Sequence, residues 1–331
     1  MQTEEKILKI KAENNARVED LVEILRDETC GEALFSAADA LKTEVFGNRV
    51  FVRCIIEFSN YCRCRCSYCG LNCENANLER YRMPPDALAA AGIEAGKIYK
   101  TVILQSGEDL HYTAEMLADI VRKIKQNTNC AVTLSIGERM YEEYKIMREA
   151  GADRFLIKHE TSDMQLYKEL HKADFADRIM AQRRLKTLGF ELGGGFMVGL
   201  PGQTDETLAN DLAILKEMRV DMAGIGPFIA HPETAVGDAA DGDAYKTLKV
   251  LALARLLLPK ANLPSTTALN VKGGMRDALF CGANVIMQKA TPPEYRALYD
   301  IYPGRDAEDM PLLEQYEKLE KTLLEYGLVT E

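Results

Sequence analysis

Five of the nine cysteines fall between Glu57 and Asn75, in the stretch EFSNYCRCRCSYCGLNCEN. Cys62, Cys66 and Cys69 have the spacing C-x3-C-x2-C, with Tyr68 just before the third and Gly70 just after it. Three thiolates this close along a chain can hold three corners of a [4Fe-4S] cube and leave the fourth iron without a protein ligand. Such an iron is an open coordination site. Cys64 and Cys73 fall outside this spacing and are expected to be non-ligands. Structural zinc is a competing reading, but it usually takes two ligand pairs separated by a longer loop, and no second pair stands elsewhere in the chain. A ferredoxin-type electron carrier would need a fourth cysteine.

A chain of 331 residues exceeds an average domain but suits a single parallel α/β barrel. The formal charge of −10 argues against a nucleic-acid partner, because a phosphate-binding surface needs a basic stripe. A local basic pocket for a small anion is still compatible with it. The N-terminal stretch MQTEEKILKIKAENN is charged throughout, so no secretory leader is expected. The longest apolar run, residues 250–258, is broken by Arg255 and is too short to span a bilayer. No membrane association is expected. Bunched cysteines in odd number do not resemble a secreted disulfide framework, which points to a reducing, cytoplasmic setting. Cys30, Cys54, Cys130 and Cys281 read as small buried hydrophobes.

Apolar residues recur at helical spacing over residues 4–27, and a second helix is expected at 31–44. A strand at 50–58 then delivers the cysteine loop from its C-terminal end. Further β-branched runs follow at 101–104, 131–136, 154–158, 191–198, 222–228, 263–269 and 284–287. Amphipathic stretches such as 113–126, 206–219 and 243–258 lie between them. Eight βα units is the count of a (βα)8 TIM-type barrel; an open doubly wound sheet is the alternative. The expected organisation is therefore an α/β chain in three parts. These are an N-terminal helical segment (1–48), the barrel (49–304) and a C-terminal helix packed on it (305–331), the helix itself at 310–326.

The cysteine spacing resembles the signature of radical S-adenosylmethionine (SAM) enzymes, which implies that SAM occupies the open iron. In such barrels chemistry is placed just after each strand. Ser106-Gly107-Glu108 after the second strand resembles the GGE element that receives the SAM amino group. Gly107 permits close backbone approach, and Glu108 serves either the cofactor or the loop; taken alone, the stretch is a plain turn. After the fourth strand, Lys158-His159-Glu160-Thr161 should face the barrel mouth. Glu160 suits ribose hydroxyls, and Arg178 on the next helix suits a carboxylate. His159 reads as a hydrogen-bonded structural histidine or as a catalyst. Glycines within the fifth strand signal close approach by a ligand or another backbone. The run from there through Met197 to LPGQT is expected on the adenine side of SAM, with Thr204 as a helix cap. Thr266, Thr267 and Ala268, followed by Lys272 and Arg276, suggest an anion-binding corner or else helix capping. Tyr295, Tyr299 and Tyr302 are expected at the rim, Tyr302 on the cofactor side.

At a finer level the chain resembles the HydE family of [FeFe]-hydrogenase maturases over roughly residues 50–304. The strings that carry the likeness include EFSNYC, NLERYRM, TVILQSGED, GADRFLIKHET, MVGLPGQT, DMAGIGPFIAHPET, LPSTTAL, CGANVIM and YRALYDIYPG. The resemblance implies that Cys62, Cys66 and Cys69 hold the cluster. It also implies that Glu160 and Arg178 contact SAM, that Ser106 and Gly107 line the same site, and that Thr266 and Thr267 face the substrate or anion end. The implied chemistry is reductive cleavage of SAM to methionine and a 5′-deoxyadenosyl radical. That radical acts on an iron–cysteine complex with carbonyl and cyanide ligands, supplied by a partner maturase. A low-potential electron donor is implied as well. Departures are the lack of any cysteine after Cys281 (several relatives carry a second cluster there), Cys64 and Cys73 where the family's loops usually have basic or polar residues, Lys158 in place of the usual arginine, the bulky Phe196, and LNVKGGMRD after Ala268. They gather toward the substrate end. The alternatives are therefore a HydE-like enzyme of another pathway, or one like biotin synthase or methylornithine synthase, acting on a small organic substrate.

Overall fold

The computed structural model describes residues 3–304 and 310–331. Eight parallel strands build the frame: β1 (Arg49–Ser59), β2 (Thr101–Ser106), β3 (Ala131–Ser135), β4 (Arg154–Leu156), β5 (Glu191–Val198), β6 (Met222–Pro227), β7 (Pro264–Ser265) and β8 (Val285–Lys289). Their lateral order is β6-β5-β4-β3-β2-β1-β8-β7. Sequential neighbours all the way round exclude the doubly wound alternative, which reverses direction at a switch point. The seam between β6 and β7 is bridged by Asn262, which lies opposite Met222. Its carbonyl accepts from the Ala223 N–H at 3.0 Å, and its own N–H donates to Asp221 at 2.9 Å. The chain is a (βα)8 barrel, nearly closed.

Three helices precede the barrel: α1 (Thr3–Glu13), α2 (Val18–Arg26) and α3 (Gly31–Phe46). Around it run α4 (Pro85–Ile98), α5 (Ala114–Asn127), α6 (Tyr141–Glu149), α7 (Met164–His171), α8 (Phe175–Thr187), α9 (Asp205–Glu217) and α10 (Ala244–Leu257). The short α11 (Thr267–Val271), α12 (Met275–Phe280) and α13 (Pro293–Arg296) follow, and α14 (Leu312–Glu325) lies near the C-terminus. Helix starts are set by side-chain caps: Thr113, Asp163, Asp174, Thr204, Asp243 and Thr266 each accept a backbone N–H of the first turn. The N-terminal helices pack on the barrel's own, α3 on α10 and α2 on α9, while α14 packs on α4.

Three local outcomes differ from the sequence expectations. The helical stretch 4–27 is two helices, because Asn14 turns left-handed at φ 48°, where Asn is tolerated. Its amide also donates to the Leu256 carbonyl at 3.0 Å. The seventh strand is two residues rather than 263–269, since Thr266 leaves it to cap α11. A ninth strand, β9 (Val329–Thr330), pairs in parallel with the start of β1, a match too short to show as periodicity. Arg255, which breaks the apolar run, is fully buried. Its guanidinium donates to the carbonyls of Gly282 (2.8 Å), Pro259 (2.9 Å) and Ala261 (2.8 Å) and to Asn284 Oδ1 (2.9 Å). Burial lowers its pKa to about 9, so it remains cationic at neutral pH.

Asp109 braces the end of β1 beside the site. Its carboxylate accepts from Ser59 Oγ (2.7 Å), from Arg82 Nε (2.7 Å) and Nη2 (3.0 Å), and from the His111 N–H (3.1 Å). Burial opposes its ionisation, but these bonds outweigh it and hold the carboxyl below its ordinary value. A depressed carboxyl contributes stability above its unfolded pKa, and that stability is lost as pH falls through the folded value. Asp109→Asn should cost about 1–3 kcal/mol of unfolding free energy at neutral pH. The difference from the parent protein should shrink as the pH falls below about 4, measured by urea unfolding across that range.

Candidate functional site

A bulge between Glu57 and Ser59 ends the regular pairing of β1 and turns the chain into the cysteine loop. The loop is wound around Arg80. Its guanidinium donates to the carbonyls of Asn60 (2.6 Å), Leu71 (2.9 Å), Asn72 (2.6 Å) and Asn75 (3.2 Å). Asn60 fastens the base, donating to the Glu79 and Leu298 carbonyls at 2.7 Å each and accepting from the Tyr81 N–H at 2.8 Å. Ser67 N–H donates to the Leu170 carbonyl at 2.7 Å, clamping the loop to the end of α7.

Within it, Cys62 Sγ accepts from the N–H groups of Cys64 (3.4 Å) and Glu108 (3.3 Å). Cys66 is buried with its Sγ 3.2 Å from His171 Nδ1, and Cys69 opens onto the barrel cavity. Among the described residues no three His, Cys, Asp or Glu side chains converge on one ion position. Ligands for the corners of a cube need not converge, since each takes its own iron. Burial, then Cys62 nearby, pushes the Cys69 thiol up to about 12. Contact with Cys64 and then burial raise Cys62 as well. Iron binding would replace these protons outright.

Gly107 makes the close approach expected of it, but toward the loop: a Cβ there would lie 2.2 Å from the Tyr61 carbonyl oxygen and 2.8 Å from Cys62 Cβ. Gly107 N–H donates to the Ser59 carbonyl at 3.0 Å. Glu108 does not line the cavity. Its carboxylate accepts from Arg63 Nε (2.6 Å) and the Glu138 N–H (2.8 Å), so it serves the loop. Gly195, at φ 146°, allows β5 to press on β6, where a Cβ would meet the Gly224 oxygen at 2.1 Å. Gly195 thus answers to a neighbouring backbone, whereas Gly193 and Gly194 are pressed mainly by the side chains of Leu156, Met222, Leu215 and Val220.

The cavity at the C-terminal mouth measures about 340 Å³. Ser106, Glu160, Arg178, Met197 and Tyr302 line it, as do Thr266, Thr267 and Ala268. Glu160 is held at φ 64° by its N–H to the Gly195 carbonyl (3.2 Å) and by the Met197 N–H to its own carbonyl (3.2 Å). Its Oε2 lies 3.1 Å from Lys158 Nζ yet accepts no aligned hydrogen bond. Burial opposes its ionisation, but Lys158 and Arg178 outweigh this and keep the carboxyl below its usual value. A buried carboxylate with an unspent acceptor on a cavity wall suits the hydroxyl groups of a nucleoside. Arg178 donates to Glu138 Oε1 (2.6 Å), the Lys158 carbonyl (2.5 Å) and His171 Nε2 (2.8 Å). Burial and then Arg178 push His171 down to about 3, so this imidazole is neutral.

Of the other expected residues, some reach the cavity and some do not. His159 is buried off the cavity with Nε2 3.1 Å from Asp211 Oδ1, the structural alternative for that residue. Phe196 packs against His159 rather than facing the cavity. Neither Lys272 nor Arg276 lines the cavity. Lys272 pairs with Asp241 at 3.1 Å, and Arg276 lies over the rings of Phe280 and Tyr326. Thr266 caps α11 and faces the cavity at once. Tyr299 and Tyr302 are on the cavity wall, whereas Tyr295 stacks on Tyr81 with ring centroids 4.9 Å apart. His171 and Glu138 escaped the sequence reading, because a histidine at a helix end and a glutamate in a loop carry no spacing signal.

Residues 56–215 match the radical SAM superfamily. The chain is 48% identical over 287 residues to the "[FeFe] hydrogenase maturase subunit HydE" of Thermotoga maritima, covering 85% of this chain and 82% of that protein. It is 29% identical over 265 residues to the 3-methylornithine synthase of Methanosarcina acetivorans, covering 77% and 73% of the two chains. Among solved structures, methylornithine synthase superposes with a TM-score of 0.86 at 27% identity, covering 98% of this chain and 97% of that one. The maturase HydG from Carboxydothermus hydrogenoformans shares the fold, with a TM-score of 0.81 at 20% identity over 99% and 79% of the chains. That superfamily works with a [4Fe-4S] cluster and SAM, the two groups for which the thiols and the Glu160 wall are suited. The chain belongs to the radical SAM superfamily and, within it, to the family of HydE.

Proposed function

We propose that Cys62, Cys66 and Cys69 hold a [4Fe-4S] cluster, that SAM binds its open iron, and that the enzyme acts in HydE-type maturation of an [FeFe]-hydrogenase. The observation that carries this reading is the meeting, in one cavity, of Cys69 and the Glu160 carboxylate, whose Oε2 pairs with Lys158 but accepts no aligned hydrogen bond. A [4Fe-4S] cluster held by these three thiols would, when reduced, supply the electron for cleavage of SAM to methionine and a 5′-deoxyadenosyl radical. The protein's part is to place and shield. Glu160 would accept from the ribose hydroxyls. Lys158 and Arg178 give the adjacent wall positive charge for a carboxylate, with Ser106, Met197 and Tyr302 along the same bound molecule. Leu156, Ile157 and Phe228 make part of the lining apolar, which keeps water from a reactive radical. Thr266, Thr267 and Ala268 would meet the substrate, for which an iron–cysteine complex bearing carbonyl and cyanide is the family's implied candidate. A low-potential electron donor and other maturases are the proposed partners, in the cytoplasm. Among the described residues no helix is long and apolar enough to cross a membrane.

A second reading, an enzyme like methylornithine synthase acting on a small organic substrate, is favoured by the match to that protein along nearly the whole chain. The two separate on substrate: turnover of an iron–cysteine complex favours the first, and turnover of a free amino acid the second.

Anaerobically reconstituted protein with reductant should form 5′-deoxyadenosine from SAM, detected by chromatography. Cys66→Ala should reduce this to background, and retained cleavage would refute the cluster assignment. Glu160→Gln should leave iron content unchanged while weakening SAM binding by roughly tenfold or more, the worth of one charge-assisted hydrogen bond. Equilibrium binding to the reconstituted variant checks this.

A further inference from the structure

His171, the last residue of α7, is buried behind the cysteine loop. Its Nε2 lies 2.8 Å from Arg178 Nη2, and its Nδ1 lies 3.2 Å from Cys66 Sγ and 2.7 Å from Tyr68 Oη. A guanidinium has donors and no acceptor, so Nε2 must accept. The single proton of the neutral ring then sits on Nδ1 and faces Cys66 and Tyr68. Arg178 cannot turn away to relieve this, because Glu138 Oε1 and the Lys158 carbonyl hold its other nitrogens. Glu138 is held in turn by Glu108, and Glu108 by Arg63, the residue after Cys62. A ring of bonds therefore leaves the loop at Arg63 and returns to it at Cys66, fixing the imidazole from behind.

We propose that His171 is a positioning residue that donates an N–H···S hydrogen bond to Cys66 and so raises the reduction potential of the cluster bound there. Such a bond withdraws electron density from the thiolate and stabilises the extra electron of the reduced state, one of the levers a protein has on these clusters. The proposal rests on Cys66 being a cluster ligand. Tyr68 shares the same proton, which places this aromatic side chain on the cavity wall beside Cys69. A residue that merely filled space behind the loop would need no donor on that particular nitrogen.

The test is a redox titration of the anaerobically reconstituted protein, followed by electron paramagnetic resonance in the absence of SAM. Three variants are compared at equal iron and sulfide content: His171→Asn, His171→Gln and His171→Leu. The Asn amide reaches about as far as Nδ1, and the Gln amide about as far as Nε2. The midpoint should move to more negative potential in the Gln and Leu variants and stay close to the parent value in the Asn variant. Equal shifts in Asn and Gln, or no shift in Gln, would overturn the proposal. So would failure of both to load iron, because a tuning bond is dispensable for assembly. Full cluster content in Cys66→Ala would instead overturn the ligand assignment on which the proposal stands.

Discussion

The loop that carries the cysteines has no regular secondary structure of its own, and its shape depends on the Arg80 guanidinium reaching four of its carbonyls. A coil this long would otherwise leave backbone acceptors facing one another. A fixed planar donor satisfies them from the inside and sets the curvature. Everything else at the mouth is built against that surface. The turn after β2 presses on the loop so closely that only glycine fits at position 107. The end of α7 is tied to it through Ser67, and the segment after β8 through Gly70, whose N–H donates to the Ile301 carbonyl at 3.1 Å. The thiols are thereby presented at the open end of the barrel.

Electrostatics at the site run against the chain as a whole. The protein is acidic, with a formal charge of −10, yet Lys158 and Arg178 line the cavity together with Cys69, and Glu160 pairs with Lys158 at 3.1 Å. Each of the three is constrained by the others. Glu160 stays ionised because the two cations outweigh its burial, and its strained backbone is paired to β5 on both sides. Local backbone strain at a cavity-facing carboxylate is the pattern expected where geometry is kept for a ligand. Of the departures from the HydE pattern, Lys158 alone reaches this wall, while Phe196, Lys272 and Arg276 do not.

The barrel was legible because β-branched runs alternating with amphipathic stretches leave few other topologies, and β5 matches its expected bounds, residues 191–198. What was hidden follows from contacts that sequence spacing cannot encode. Asn14 looks like any residue of an amphipathic helix until its left-handed turn is seen. The seventh strand reads as longer than it is, since Thr266 suits a strand as well as a cap. Within the site, residues on strand ends were read correctly as cavity-facing where one strand decides their direction, as for Ser106, Glu160 and Thr266. Glu108 takes the loop alternative, and Lys272 and Arg276 turn from the cavity to Asp241, Phe280 and Tyr326, with partners in distant segments that spacing does not encode. His171 was invisible for the same reason.

The proposed chemistry requires that three cysteines leave one iron free and that SAM occupies it. The most direct measurement is electron–nuclear double resonance on the reduced, reconstituted protein mixed with SAM labelled with ¹⁷O in the methionine carboxylate or ¹⁵N in its amino group. Coordination to the open iron predicts strong hyperfine coupling of these labels to the cluster, and a cluster signal that changes when SAM is added. A signal indifferent to SAM, with no coupling from either label, would contradict the account.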